Sequence, residues 1–294
     1  MYASFEGWFR QNKHRRFFAW VNLMDAHMPY AAPEKYRQGL VDSRYGGPVK
    51  APFANADLAK RPGLTDGDKR QVRALYEAGV RYEDEIVGKI VSLLERAGVG
   101  DETLVVITSD HGEEFWEHAG FEHGHTLYDE LIHVPLVMKY PKAFGVTGKV
   151  TKVTPIVRQV DFLPTVLDIA GIPAPGDARF EGFSVKTAHL GKSIPEREVY
   201  SESLHYGAER KSIRTSKYKL VYHVSSGQIE LYDLVKDRAE QVNVAASNPA
   251  VAKALMGRLQ RWLERVKQSE TAKKSSQAAA PDERTKELLK ALGY

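Results

Sequence analysis

Two near-continuous apolar runs constrain this chain more than any other feature. Phe17-Phe18-Ala19-Trp20-Val21-Asn22-Leu23-Met24 stops at Asp25-Ala26-His27-Met28-Pro29-Tyr30, and Leu104-Val105-Val106-Ile107-Thr108-Ser109 stops at Asp110-His111-Gly112. Runs of this length read as strands buried on both faces, each delivering polar side chains at its carboxyl end. Val134-Pro135-Leu136-Val137-Met138 is a third such run. Between the first two, a helix is expected from the cap signal at Thr65 and Asp68 to a stop at Gly98. Its apolar positions are Val72, Leu75, Val80, Ile86, Val87, Ile90, Leu93 and Leu94. Buried strands separated by a long helix predict an α/β fold, a mainly parallel sheet flanked by helices. Ligands in such sheets gather beyond the carboxyl ends of the strands, where both polar clusters fall.

The composition changes further along. Residues 161–170 read as a short helix, with Asp161 as a structural cap and Gly171 as the stop. From Glu198 come short strand-like segments, 199–200, 212–214, 219–222 and 229–232, with Ser225-Ser226-Gly227 as a hairpin turn. After Asn248-Pro249 a helix places Val251, Leu255, Leu259, Trp262, Leu263 and Val266 on one face. This predicts a small antiparallel sheet closed by one helix. The expected division is 1–190, 191–266 and 267–294. In the last part, 267–280 reads as a linker and 282–294 as a short amphipathic helix.

Charge excludes one class of partner. The 42 basic and 38 acidic residues are interspersed and leave only +4, which argues against a nucleic-acid partner. No apolar stretch approaches the roughly 20 residues of a membrane span, so no membrane segment is expected. Residues 1–18 lack the basic-then-apolar order of a signal peptide, and localisation is not specified. Cysteine is absent, which removes disulfides, thiolate metal sites and a cysteine nucleophile.

The chemistry concentrates in Thr108-Ser109-Asp110-His111-Gly112-Glu113. A carboxylate and an imidazole leaving a buried strand together can face one divalent cation. The plainer alternative has Asp110 capping the next helix and His111 packing. Five of the ten histidines, His111, His118, His123, His125 and His133, fall between positions 111 and 133, a clustering that favours function for at least two. His118 and His133 remain balanced between function and packing, and His133 is left out of the site.

Asp25-Ala26-His27-Met28-Pro29-Tyr30, Ile107-Thr108-Ser109-Asp110-His111-Gly112-Glu113 and His123-Gly124-His125-Thr126-Leu127-Tyr128-Asp129-Glu130, in that order, resemble successive motifs of the sulfatase family of the alkaline-phosphatase superfamily. Val160-Asp161-Phe162-Leu163-Pro164-Thr165, Glu230-Leu231-Tyr232-Asp233-Leu234 and Leu292-Gly293-Tyr294 extend the likeness to nearly the whole chain from Phe17. The resemblance implies hydrolysis of sulfate esters with a divalent cation, calcium first, magnesium or manganese as alternatives. It matches Asp110 and His111 to metal ligands. His27 takes the place of the histidine that contacts the ester or leaving-group oxygen. His123 falls where many relatives carry a sulfate-binding lysine, and His125 is the alternative for that part. The implied catalytic set is therefore His27, His123 and His125, with His27 and His123 binding substrate, a small-molecule or glycan sulfate ester. Many sulfatases carry asparagine at the position of His111, and histidine there also occurs in phosphonate and phosphate ester hydrolases.

The family's nucleophile is not found. No Asp-Asp pair and no Cys-x-Pro-x-Arg or Ser-x-Pro-x-Arg segment precedes His27, and formylglycine cannot arise here from cysteine. Ser193-Ile194-Pro195-Glu196-Arg197 matches formally, but it follows every metal motif and runs into a strand, whereas such a nucleophile needs a helix N-terminus. The expectation is the C-terminal portion of a sulfatase-like hydrolase, incomplete at the N-terminus, its partner a missing N-terminal half. Such a chain should turn over little alone. Two alternatives stay open: a phosphate or phosphonate monoester hydrolase, and a non-catalytic anion-binding or interaction protein. Tyr30, Tyr36, Phe115, Trp116, His205 and Tyr206 are candidates for either a leaving-group pocket or packing.

Overall fold

The computed structural model describes residues 1–54, 56–60, 63–146, 152–176, 178–190, 194–202 and 205–274. The chain divides into two compact units, Met1–Pro195 with Leu204–Gly207, and Glu196–Ser203 with Ala208–Tyr294.

The first unit contains helices α1 (Tyr2–Asn12), α2 (Glu34–Arg37), α3 (Ala56–Lys60) and α4 (Asp66–Arg96). Strands β1 (Val105–Thr108), β2 (Glu114–Phe115) and β3 (Phe121–Glu122) follow, then α5 (Asp129–Ile132), β4 (Leu136–Lys139) and α6 (Phe162–Ala170). The start of α4 follows from a reciprocal cap: Asp68 N–H donates to Thr65 Oγ1 at 3.1 Å and Thr65 N–H to Asp68 Oδ2 at 2.8 Å. Most of its expected apolar positions turn inward, but Val80 faces solvent. One core gathers Val72 and Leu75 of α4 with Tyr30, Phe53, Phe115 and Phe121. A second joins Phe5 and Phe9 of α1 to Leu94 of α4, with Phe17, Val21 and Val105 against it.

Two expectations change here. Residues 17–24 form no ladder, and Phe18 and Trp20 stand 74% and 76% exposed. Phe17 and Val21 turn onto the helices, while Phe18, Trp20 and Met24 face water, with nothing among the described residues covering them. Ladders among the described residues are all antiparallel, β1 with β4, β2 with β3, and the four-stranded sheet of the second unit. The long-helix argument for parallel pairing fails because the segments that α4 connects, 17–24 and β1, do not hydrogen-bond to each other. Asp161 is structural as expected, though its buried carboxylate caps the turn before α6. It accepts from Arg158 N–H at 2.7 Å and Phe183 N–H at 3.2 Å. Gly171, with φ of 65°, ends α6.

The second unit is the expected antiparallel sheet, β5 (Val199–Glu202), β6 (Arg210–Arg214), β7 (Tyr218–His223) and β8 (Ile229–Asp233), under α7 (Pro249–Lys274). Its register lines up Ile213, Leu220 and Leu231 in one cross-strand row against Leu255 and Leu259. The expected linker at 267–280 is corrected in part, since α7 continues to Lys274. Residues 275–280 and the expected helix at 282–294 lie outside the described residues, as does Ser193 of the formal nucleophile motif.

Candidate functional site

Three loops meet at the site, each held by a side chain from another part of the chain or from its own start: Glu83, Gln159 and Glu114. The loop after residues 17–24 carries His27. Asp25 N–H and Ala26 N–H donate to Glu83 Oε1 of α4 at 2.8 and 3.0 Å. Burial pushes the Glu83 carboxyl up, against the pull of these two donors. The loop approaches α4 at Gly79, where a Cβ would stand 2.3 Å from the Asp25 carbonyl oxygen. Gly79→Ala is therefore expected to displace His27, at a cost of about 2 kcal/mol; urea unfolding and the His27 ring signals in NMR measure both effects.

The second loop follows β1. The Asp110 side chain is 65% exposed, with Oδ2 3.8 Å from His111 Nε2. His111 Nδ1 lies 2.8 Å from the Gly112 carbonyl, to which it can only donate. That bond fixes the tautomer and leaves the Nε2 lone pair available for a metal. Gln159 Nε2 donates to the carbonyls of Ser109 and Asp110 at 3.1 and 2.8 Å.

The third loop is the β2–β3 hairpin and its exit. Trp116, Ala119 and Glu122 have φ between 66° and 74°, a left-handed conformation that non-glycine residues adopt only under constraint. The constraint is Glu114, a fully buried carboxylate. It accepts from His118 N–H at 3.1 Å and Gly120 N–H at 2.6 Å, and it meets His125 Nε2 at 2.8 Å. Its neighbour Glu113 meets His123 Nδ1 at 2.9 Å and accepts from the buried Tyr30 hydroxyl at 3.0 Å. The His123 ring stacks on His111, centroids 4.0 Å apart, and meets His27 edge-on at 5.3 Å.

His27, His111 and His123 thus converge beside the exposed Asp110. His125 does not join them; it is held within the hairpin by Glu114. His118 is likewise structural, bonded to Glu130 at 2.5 Å and stacked on Tyr128. Of the pocket candidates, Tyr30, Tyr36 and Phe115 are core residues. Trp116 donates from Nε1 to the Ala59 carbonyl at 3.1 Å. His205 and Tyr206 are exposed and anchor through their N–H groups on the Gly124 carbonyl at 2.8 and 2.9 Å. Sequence reasoning missed Glu113 and Glu114 as supports. The available signal was two adjacent glutamates entering a hairpin that returns two histidines.

Protonation follows from these pairs. Burial alone would lower His123, but the hydrogen bond its ring makes to Glu113 and the nearby charges of Glu113, Glu122 and Asp110 together outweigh it, and the ring is pushed up. The Glu114 hydrogen bond raises His125, while burial of Glu114 is outweighed by His125 and two N–H groups, so that carboxyl is lowered. The raised His125 contributes stability fully below its ordinary pKa of about 6.5 and loses it as pH rises through the raised value. The lowered Glu114 contributes above about 4.3 and loses it as pH falls. The stability difference between the natural chain and His125→Gln is expected to peak between these values; thermal unfolding across pH 4–8 tests it.

The first 172 residues match the Sulfatase family model, and residues 116–269 match the model described as N-sulphoglucosamine sulphohydrolase, C-terminal. The chain belongs to the sulfatase family. It is 31% identical to the arylsulfatase K of Bos taurus over 65% of this chain and 36% of that protein. It is 30% identical to the N-acetylglucosamine-6-O-sulfatase of Bacteroides thetaiotaomicron over 74% of this chain and 38% of that one. The chain therefore spans little more than a third of these curated relatives. Among solved sulfatase-like structures, a complex with the substrate D-glucosamine-2-N,6-O-disulfate aligns with a TM-score of 0.60. That match has 29% identity and covers 72% of this chain and 45% of that one. The phosphonate monoester hydrolase of Agrobacterium radiobacter aligns at 0.70 with 24% identity over 91% and 60%, a likeness of fold. The expected alkaline-phosphatase-like fold is thereby borne out.

The sulfatase family uses a divalent metal, but no group of three or more candidate ligands occurs among the described residues of this chain. Asp110 and His111 supply two donors, whereas calcium takes 6–8 oxygens. By themselves these residues do not fit the ion.

Proposed function

We propose that this chain is the part of a sulfate-ester hydrolase that carries His27, Asp110, His111 and His123. The convergence of the three imidazoles beside Asp110 supports this reading most directly. An anionic ester needs cationic donors around its non-bridging oxygens and an acid for the departing oxygen. His123, its imidazole raised above the ordinary histidine value beside the Glu113 carboxylate, suits the first task; His27, exposed on its loop, suits the second. Asp110 and His111 are assigned as half of a cation site, calcium before magnesium or manganese. His125 is assigned to holding the hairpin. The substrate class is a sulfated saccharide, in line with the two glucosamine-sulfate relatives.

The complete activity is assigned to this chain together with the portion of a sulfatase that it does not span. Turnover of 4-nitrophenyl sulfate and glucosamine-6-sulfate by the purified chain is expected to be near background. Robust metal-dependent turnover that Asp110→Ala abolishes would show the site to be complete and overturn the division. Phosphonate hydrolases among the structural neighbours make a phosphonate monoester the control substrate.

A further inference from the structure

A polar groove of about 510 Å³ opens within the second unit, between the entry to β5 and α7, inside the roughly 300–1,000 Å³ range of small-molecule sites. It shares no residue with the cluster of His27, Asp110, His111 and His123. Tyr200 of β5 lines it, its ring stacked on Trp262 with centroids 4.7 Å apart and planes within 5°. The Tyr200 hydroxyl donates to Glu198, whose other oxygen accepts from Arg258 Nη1 at 2.7 Å. The Glu198 charge is thereby matched by Arg258. Arg261 and Arg265 follow on the same stripe of α7 and line the groove as well, yet neither holds a hydrogen bond or ion pair among the described residues. Burial and the bond to Glu198 push the Tyr200 phenol up to about 12, while the Arg265 and Arg258 charges pull against them, so both guanidinium groups stand near that hydroxyl.

Like charges four residues apart on a helix repel, so bare arginines at 261 and 265 weaken α7 until an anion lies between them. A planar guanidinium offers paired N–H donors to the oxygens of a sulfate or phosphate group. Glu264, on the flank of the same stripe, also lines the groove. An ionised carboxylate only accepts hydrogen bonds, and it matches a ligand that brings hydroxyl or amino donors along with its negative charge. A bare inorganic anion has none. We propose that this groove binds a saccharide carrying a sulfate or phosphate ester, with Arg261 and Arg265 on the anion, Glu264 accepting from the ring substituents and the Tyr200 ring against the sugar's apolar face. The choice of sulfate over phosphate rests on the reading of this chain as part of a sulfatase; the groove itself does not.

Heteronuclear NMR of the 294-residue chain tests this, read at the arginine Nε–H groups and at the backbone amides of residues 198–200 and 258–268. The probes are glucosamine-6-sulfate, glucosamine-6-phosphate, unmodified glucosamine and inorganic sulfate. Saturable shifts at these positions are expected with the sugar sulfate, at an affinity at least about 10-fold above that of glucosamine or inorganic sulfate, the scale of one charged hydrogen bond. Arg261→Gln combined with Arg265→Gln should remove the shifts without lowering the thermal midpoint, because both side chains are exposed and make no bond that folding depends on.

The absence of saturable shifts at 258–268, equal binding of inorganic sulfate, or shifts that survive the double substitution would each overturn the proposal. Tighter binding of the phosphate ester would uphold the groove and count against the sulfatase-based choice of ligand. No turnover enters the measurement, so sulfatase assays at background leave it untouched. Shifts confined to His27, His111 and His123 would support the hydrolase reading and overturn the groove.

Discussion

Glu114→Ala is expected to cost the first unit about 3–5 kcal/mol, the range for removing one partner of a buried, charge-bearing network. The carboxylate is inaccessible to water, and alanine would strand the N–H groups of His118 and Gly120 together with the raised His125. Glu114 is the buried anchor of the turn that holds Trp116 and Ala119 at positive φ, so the hairpin should relax and carry His123 away from His111. Urea unfolding followed by Trp116 fluorescence reads the stability, and amide exchange at Gly120 reads the local loss. Glu114→Gln keeps an acceptor oxygen and should lose roughly half as much, since neutral acceptors form weaker bonds than ionised ones. A loss within about 0.5 kcal/mol for Glu114→Ala, the scale of ordinary surface changes, would mean that Glu114 does not hold the hairpin.

Gly112→Ala should be nearly as damaging, for a steric reason. A Cβ at Gly112 would stand 1.9 Å from the Glu130 carbonyl oxygen, a backbone atom fixed by the helical turn of α5. The Gly112 N–H also donates to the Leu131 carbonyl at 2.8 Å, so the two segments cannot separate without losing that bond. The expected cost is about 2–3 kcal/mol, with His111 displaced from its stack on His123. Gly88→Ala is the control. Gly88 lies within α4 with nothing within 4 Å of its Cβ direction, and alanine there should stabilise by about 0.5–1 kcal/mol. If both substitutions shift the unfolding midpoint alike, the close approach at Gly112 is not what shapes the motif.

Local signals in the sequence carried much of the fold. The cap at Thr65 and Asp68, the stop at Gly171 and the hairpin ending at Gly227 all act within a few residues of themselves, and each holds in the structure. The apolar run at 17–24 was read as a strand for equally local reasons, and it failed for a non-local one. A strand needs a neighbour, and among the described residues no strand pairs with this run. Motif spacing likewise placed Asp110, His111, His27 and His123 in one neighbourhood but could not separate His123 from His125, two residues away.

By itself, the sequence determined the family, the ends of α4 and α6 and the residue types gathered at the site, because periodicity, capping and ordered motifs are short-range properties of the chain. Only the tertiary structure decided which histidines meet. Adjacent glutamates 113 and 114 point to opposite sides of the chain, so one aims His123 into the cluster and the other ties His125 into the hairpin. It also decided that the first apolar run lies open along one face, since burial depends on what packs against a segment as well as on how apolar the segment is.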